Sequence, residues 1–126
     1  MFDAWTTNAG RARFWAEGSR ATAGGFDLRF IKRQHLSVEV VEEKAPGRFV
    51  FRYFGGSTVT VTLSPDDGHG CDVHLVETGI ASAEEWVENH AGWVSVLLAL
   101  KATGDFGVDL RAHDPARSWE GRHVDC

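Results

Sequence analysis

Apolar and polar residues alternate in five successive runs of this chain. Phe26, Leu28 and Phe30 alternate with Asp27 and Arg29. Leu36, Val38 and Val40 alternate with Ser37 and Glu39, and Phe49, Phe51 and Tyr53 with Val50 and Arg52. Val59, Val61 and Leu63 alternate with Thr58, Thr60 and Thr62, and Val73 and Leu75 with Asp72 and His74. Successive side chains on a strand point to opposite faces, so each run reads as a strand with one face to bury. The connections are too short for parallel crossovers and carry turn chemistry. Pro46-Gly47 suits a type II turn, and Gly55-Gly56 suits a two-residue primed turn. The pattern predicts a five-stranded antiparallel meander within residues 21–78.

The period changes at both ends. Phe2, Trp5 and Ala9 share a helical face that Thr7-Asn8 interrupts. Two short helices are expected, about 2–6 and 8–16, with Asn8 capping the second. Ser82 and Glu85 have capping-box spacing, and Trp86, His90, Trp93, Leu97, Leu100 and Gly104 recur every three or four residues. This predicts a helix from Ser82 to Gly104 with one core stripe. Val94 and Leu98 add apolar surface beside the stripe, to be covered by the tail or a second subunit. Residues 105–126 contain Pro115 and are expected to form an irregular tail docked through Phe106, Leu110, Trp119 and Val124. A one-faced sheet and a single long helix that can cover it give an α+β fold, organised as one domain over residues 1–126.

Composition narrows the function classes. The chain has 126 residues, a net charge of −5, 43% hydrophobic residues and 25% charged residues. Its scattered basic residues, with one local group at Lys32, Arg33 and His35, disfavour nucleic-acid binding. The longest apolar stretch, Trp93 to Leu100, is far short of the roughly 20 residues that cross a bilayer. No basic region followed by an apolar core opens the chain, so a cytoplasmic location is expected. Cys71 and Cys126 have no metal or redox spacing, and both are expected to be reduced, non-functional thiols.

Familiar catalytic arrangements are absent from the pattern. No phosphate loop and no G-x-S-x-G occurs. His74 and Glu77, three apart on a strand, face opposite sides and cannot share a metal. His90 reads as a packed core histidine. His113 and Asp114 have no oriented nucleophile, and Ser57, Ser64 and Ser95 have no neighbouring base in any readable motif. No catalytic residue, metal ligand or cofactor is expected. Glu77 shares parity with Val73 and Leu75, so it points toward the core side at the end of its strand. It reads either as a solvated rim carboxylate or as a group that orients a ligand or serves as a base.

Several segments together resemble the START-like SRPBCC superfamily, and within it the branch named for the activator of heat-shock protein 90 ATPase. They are Phe2-Asp3-Ala4-Trp5-Thr6-Thr7, Phe14-Trp15, Gly24-Gly25-Phe26, and Pro46-Gly47-Arg48-Phe49-Val50-Phe51. Glu77-Thr78-Gly79, Gly92-Trp93-x-x-x-Leu97-x-x-Leu100 and the tail from Leu110 to Trp119 complete the set. The resemblance implies a helix-grip fold, a curved antiparallel sheet wrapped around a long C-terminal helix, with a cavity between them that accepts apolar small molecules. Members include lipid and hormone binders, cyclase-like enzymes and co-chaperone domains, so the fold alone does not fix the function.

In that family a strand precedes the Phe-Asp-Ala-Trp helix and lies between the first and last strands of the meander. Here the chain begins at Met1-Phe2. Sheet edges at about 21–30 and 71–78 are therefore expected to be unpaired. The tail, a second subunit or an earlier natural start would each fill the gap, and a homodimer through these edges or through helix 82–104 is favoured. The expected function is non-catalytic binding of a small hydrophobic ligand. Trp15, Phe30, Phe51, Tyr53, Trp93 and Leu97 would line the cavity, with Glu77 at its mouth; a filled aromatic core is the competing account of the same residues. The alternatives are a co-chaperone-like protein-interaction module and a cyclase- or hydratase-like enzyme using Glu77.

Overall fold

The computed structural model describes residues 1–123, so Val124 and Cys126 lie outside the described residues. Two short helices, α1 (Phe2–Thr6) and α2 (Asn8–Ala12), lead into six strands: β1 (Gly18–Thr22), β2 (Gly25–Arg29), β3 (His35–Lys44), β4 (Arg48–Arg52), β5 (Thr58–Pro65) and β6 (Cys71–Thr78). A helix, α3 (Ala83–Phe106), follows, and an extended tail ends in a short turn at Trp119–Gly121. The strands form one antiparallel sheet in sequence order, and α3 packs on its apolar face.

The sheet has six strands where the alternation predicts five. The additional strand, β1, reads Gly18-Ser19-Arg20-Ala21-Thr22 and buries no large side chain. Its pairing with β2 from Gly18↔Arg29 to Thr22↔Gly25 makes it a strand, so its signal lies in the backbone ladder rather than in side-chain hydrophobicity. The sheet's outer strands are accordingly β1 and β6. The tail adds no strand among the described residues, so it does not fill the gap between them.

Cross-strand pairs carry the core. Phe26 faces Val38, Phe51 faces Val59, and Val61 faces both Phe49 and Leu75. The register shifts between Val40 and Glu42, leaving Val41 as an exposed bulge residue that bends β3. Gly25 is required where β2 meets β3, because a Cβ there would lie 1.8 Å from the Val38 carbonyl oxygen.

Local expectations need four corrections. Thr7, not Asn8, caps α2: its Oγ1 accepts from Gly10 N–H at 3.0 Å while donating to Asp3 O at 2.7 Å. Gly47 N–H bonds Lys44 O, which places Pro46 third in its turn and excludes type II. Gly55 and Gly56 both have positive φ, but they lie in a wider loop closed by Tyr53 N–H on Ser57 O. Helix α3 runs past Gly104 and ends at Gly107, which takes the left-handed conformation.

Arg11 is a buried cation that periodicity gives no sign of. Its guanidinium donates to Trp5 O, Asn8 Oδ1 and Ser19 Oγ, each at 2.8 Å, and lies 3.8 Å from the centre of the Phe26 ring. Burial lowers its pKa to about 10, against the pull of the Glu43 charge. It ties both short helices to the start of the sheet.

Candidate functional site

The aromatic side chains sort into a filled core and a cavity wall. Phe51 is fully buried, with ring centroids 5.3 Å from Phe49 and 6.2 Å from Trp93. Trp15 sits at the centre rather than closing one end. Its ring lies 5.6 Å from Trp5, 5.4 Å from Phe51 and 5.7 Å from Trp93. Leu97 packs against this cluster from α3.

Beside the core is a cavity of about 160 Å³. Phe14, Trp15 and Ala16 form its floor, and Gly92, Ser95, Val96 and Ala99 of α3 form one wall. Phe30, Ile31, Lys32 and Gln34 of the β2–β3 loop, with Tyr53 and Phe54, form the opposite wall. Arg111, Ser118, Trp119 and Glu120 of the tail close it over. Of the residues expected to line a ligand site, Trp15, Phe30 and Tyr53 are here. Phe51, Trp93 and Leu97 belong to the packed core, and Glu77 lies elsewhere. Phe14, Val96, Ala99, Ser118 and Trp119 were not foreseen as lining residues. Only Trp119, an aromatic in a segment with few others, gave any signal. A second depression, about 460 Å³, lies between α1–α2 and the end of α3, but short and polar groups dominate its rim.

Polar groups share the lining with the rings: Glu17, Lys32, Gln34, Ser95, Arg111, Ser118 and Glu120 border the cavity. Burial pushes the Tyr53 hydroxyl well above its ordinary pKa; the Trp15 indole opposes the rise and the Glu77 charge adds to it. The Trp15 N–H nevertheless makes no hydrogen bond of acceptable geometry, and neither does the Ser118 hydroxyl, although both atoms are buried. Lys32 Nζ and Glu120 Oε2 stand 3.6 Å apart, joining the β2–β3 loop to the tail.

Glu77 is a clamp between sheet and helix. Oε1 accepts from Ser57 Oγ at 2.5 Å and Asn89 Nδ2 at 3.0 Å, and Oε2 accepts from Trp93 Nε1 at 2.9 Å. Both oxygens are thus held by protein donors, so the group is neither a freely solvated rim carboxylate nor part of the cavity wall. A base at this position would have to give up those bonds.

The tail docks through polar contacts, not through the apolar residues expected. Phe106 ends α3 and is exposed, as are Leu110 and part of Trp119. Arg111 donates to Ala12 O at the end of α2 and to Ala16 O in the segment after it, at 2.8 Å each, and pairs with Asp109. His113 lies 2.8 Å from Asp109 Oδ2 through Nε2 and 2.8 Å from Glu17 Oε1 through Nδ1. Asp109 is pushed up by partial burial, but bonds from the Arg111 side chain and backbone and from His113 outweigh this and hold it far below the carboxylate range.

The same two carboxylates raise the His113 pKa above its ordinary 6.5, first through Asp109 and then through Glu17, against burial and the Arg111 charge. A raised folded-state pKa means that the docked tail binds the proton more tightly than the free tail. This contribution is complete below 6.5 and is lost as pH rises through the higher folded-state value. NMR titration of the His113 ring is expected to give a midpoint above 6.5, and Asp109→Asn to bring it back down. A midpoint at or below 6.5 in the unmodified chain contradicts the docking described.

The first turns of α3 depart from the expected stripe. Trp86 is 54% exposed, and His90 is also exposed, their rings stacked 5.1 Å apart. His90 is therefore not a core residue. The stripe continues past the buried part of the helix, which begins near Trp93. Val94 and Leu98 are exposed as well, so the described part of the tail does not cover them.

Among the described residues, no helix is long and apolar enough to cross a membrane. No match was found among curated proteins. Among solved structures the chain is similar to the protein SSP2350 from Staphylococcus saprophyticus, at 22% identity and a TM-score of 0.76, covering 88% of this chain and 85% of that one. At that identity the likeness concerns the fold: a curved antiparallel sheet with a long C-terminal helix. Residues 1–105 match the model of the Activator of Hsp90 ATPase homolog 1-like protein family. The order of Phe2–Thr7, Phe14-Trp15, Gly24–Phe26 and Gly92-Trp93 along a sheet gripping α3 agrees with that match, and the chain belongs to this family.

Proposed function

We propose that the chain binds a small, largely apolar molecule in the cavity between α3, the β2–β3 loop and the tail. One observation carries this: a hollow of about 160 Å³ with aromatic walls adjoins a core in which Phe51 and Trp93 are closely packed. A cavity of about 150 Å³ lined by apolar groups holds benzene, so the occupant is on the scale of one ring. Family membership supports a ligand-binding or chaperone-associated domain.

Gly92 provides the test. It lines the cavity, and a Cβ there meets nothing within 4 Å. Gly92→Leu directs a side chain into the hollow and raises helix propensity, adding up to about 1 kcal/mol of stability. Ethylbenzene is expected to change the intrinsic tryptophan fluorescence of the unmodified chain saturably and to have no such effect on Gly92→Leu. Equal saturation in both chains would remove the cavity as the binding site.

Exposed apolar residues on α3, namely Trp86, Val87, Val94 and Leu98, favour a second reading as a protein-interaction module. In that case Leu98→Asp abolishes partner capture and Gly92→Leu leaves it intact. The unpaired outer strands β1 and β6 support a homodimer. A light-scattering mass of one chain at micromolar concentration would dismiss it.

A further inference from the structure

Building on the binding role proposed above, we infer that the ligand is a neutral, single-ring aromatic molecule bearing one carbonyl-type hydrogen-bond acceptor. The volume sets the size, and the Trp15, Phe30 and Tyr53 rings on the cavity lining favour an aromatic occupant. The acceptor follows from two buried polar atoms. Trp15 is 4% exposed and its Nε1–H makes no well-aligned bond, only a weak interaction with the Tyr53 hydroxyl; Ser118 is 5% exposed and its Oγ has no partner. Both residues line this cavity. An indole N–H can only donate, so a wholly hydrocarbon occupant leaves it without a well-formed bond. A carbonyl oxygen is an acceptor for either donor.

Neutrality follows from the charges that the described side chains place at the rim. The Arg111 guanidinium is engaged by Asp109, Ala12 O and Ala16 O. Lys32 faces Glu120. An anionic ligand would have to displace one of these partners, and Glu17 and Glu120 would repel it.

Acetophenone and ethylbenzene have nearly the same shape and differ in the acceptor. Calorimetry on the intact chain is expected to show acetophenone binding roughly 3- to 10-fold more tightly, the increment of one net hydrogen bond. In nitrogen-15 NMR, acetophenone should move the Trp15 indole proton downfield, and ethylbenzene should not. Ser118→Ala should narrow the preference without abolishing ethylbenzene binding. Equal affinities with an unmoved Trp15 proton would overturn the acceptor and leave apolar binding standing. Tighter binding of benzoate than of acetophenone would overturn neutrality. Failure of every probe to bind would remove both this inference and the binding role beneath it.

Discussion

Phe51→Ala is expected to lower the unfolding free energy by about 3–5 kcal/mol, the cost of deleting a fully buried aromatic ring. Phe51 is 0% exposed and sits where sheet and helix meet. Its ring centroid lies within 6.4 Å of those of Trp15, Phe26, Phe49, Tyr53 and Trp93. These neighbours are rigid rings, so the void collapses only in part. For a domain of this size the loss corresponds to a melting temperature lower by roughly 10–20 °C. A change under about 1 kcal/mol would mean that the cluster does not hold α3 on the sheet.

Glu77→Ala is the second large effect, a loss of about 2–3 kcal/mol. The carboxylate collects Ser57 from the β4–β5 connection and Asn89 and Trp93 from α3. Removing it strands the Trp93 N–H in a buried residue and leaves the buried Ser57 hydroxyl only its longer bond to Phe54 O, 3.2 Å. Glu77→Gln keeps the shape but brings an NH2 toward the donors, so it should fall between alanine and the native residue. Denaturant unfolding measures both variants. If both matched the native chain, Glu77 would be free of the clamp and available for other chemistry. If ethylbenzene still binds to a folded Glu77→Ala protein, binding does not require this carboxylate, as its place outside the cavity demands.

The sheet and helix were legible because they bury apolar side chains at a fixed period. Val59, Val61 and Leu63 keep period two, and Ser82 with Glu85 marks the start of α3. What escaped was held by the backbone or by distant polar contacts. Gly18–Thr22 has no apolar alternation and becomes a strand only through pairing with β2. Arg11 carries no mark that distinguishes it from Arg13, yet one is buried and the other exposed. The stripe from Trp86 to Leu100 was real as a pattern, but spacing cannot say where the sheet beneath a helix ends.

The cavity was harder to read than the core. Phe30, Tyr53 and Trp15 lie on it because they flank loops and element ends, whereas Phe51 and Trp93, from the same aromatic set, fill the interior. Alternation assigns Phe30, Phe51 and Tyr53 to one face and does not separate wall from filling. The tail's contribution depends on Arg111 reaching Ala12 and Ala16, contacts almost a hundred residues apart in sequence. No local spacing announces such a contact.

The five tryptophans report on this arrangement separately, since Trp15 and Trp119 line the cavity, Trp5 and Trp93 are buried in the core, and Trp86 is exposed. The decisive measurement is a nitrogen-15 NMR titration of the indole resonances with ethylbenzene. The account predicts saturable shifts, greatest at Trp15 and Trp119, none at Trp86, and none anywhere in Gly92→Leu. Shifts centred on Trp86, or shifts that persist in Gly92→Leu, would contradict it.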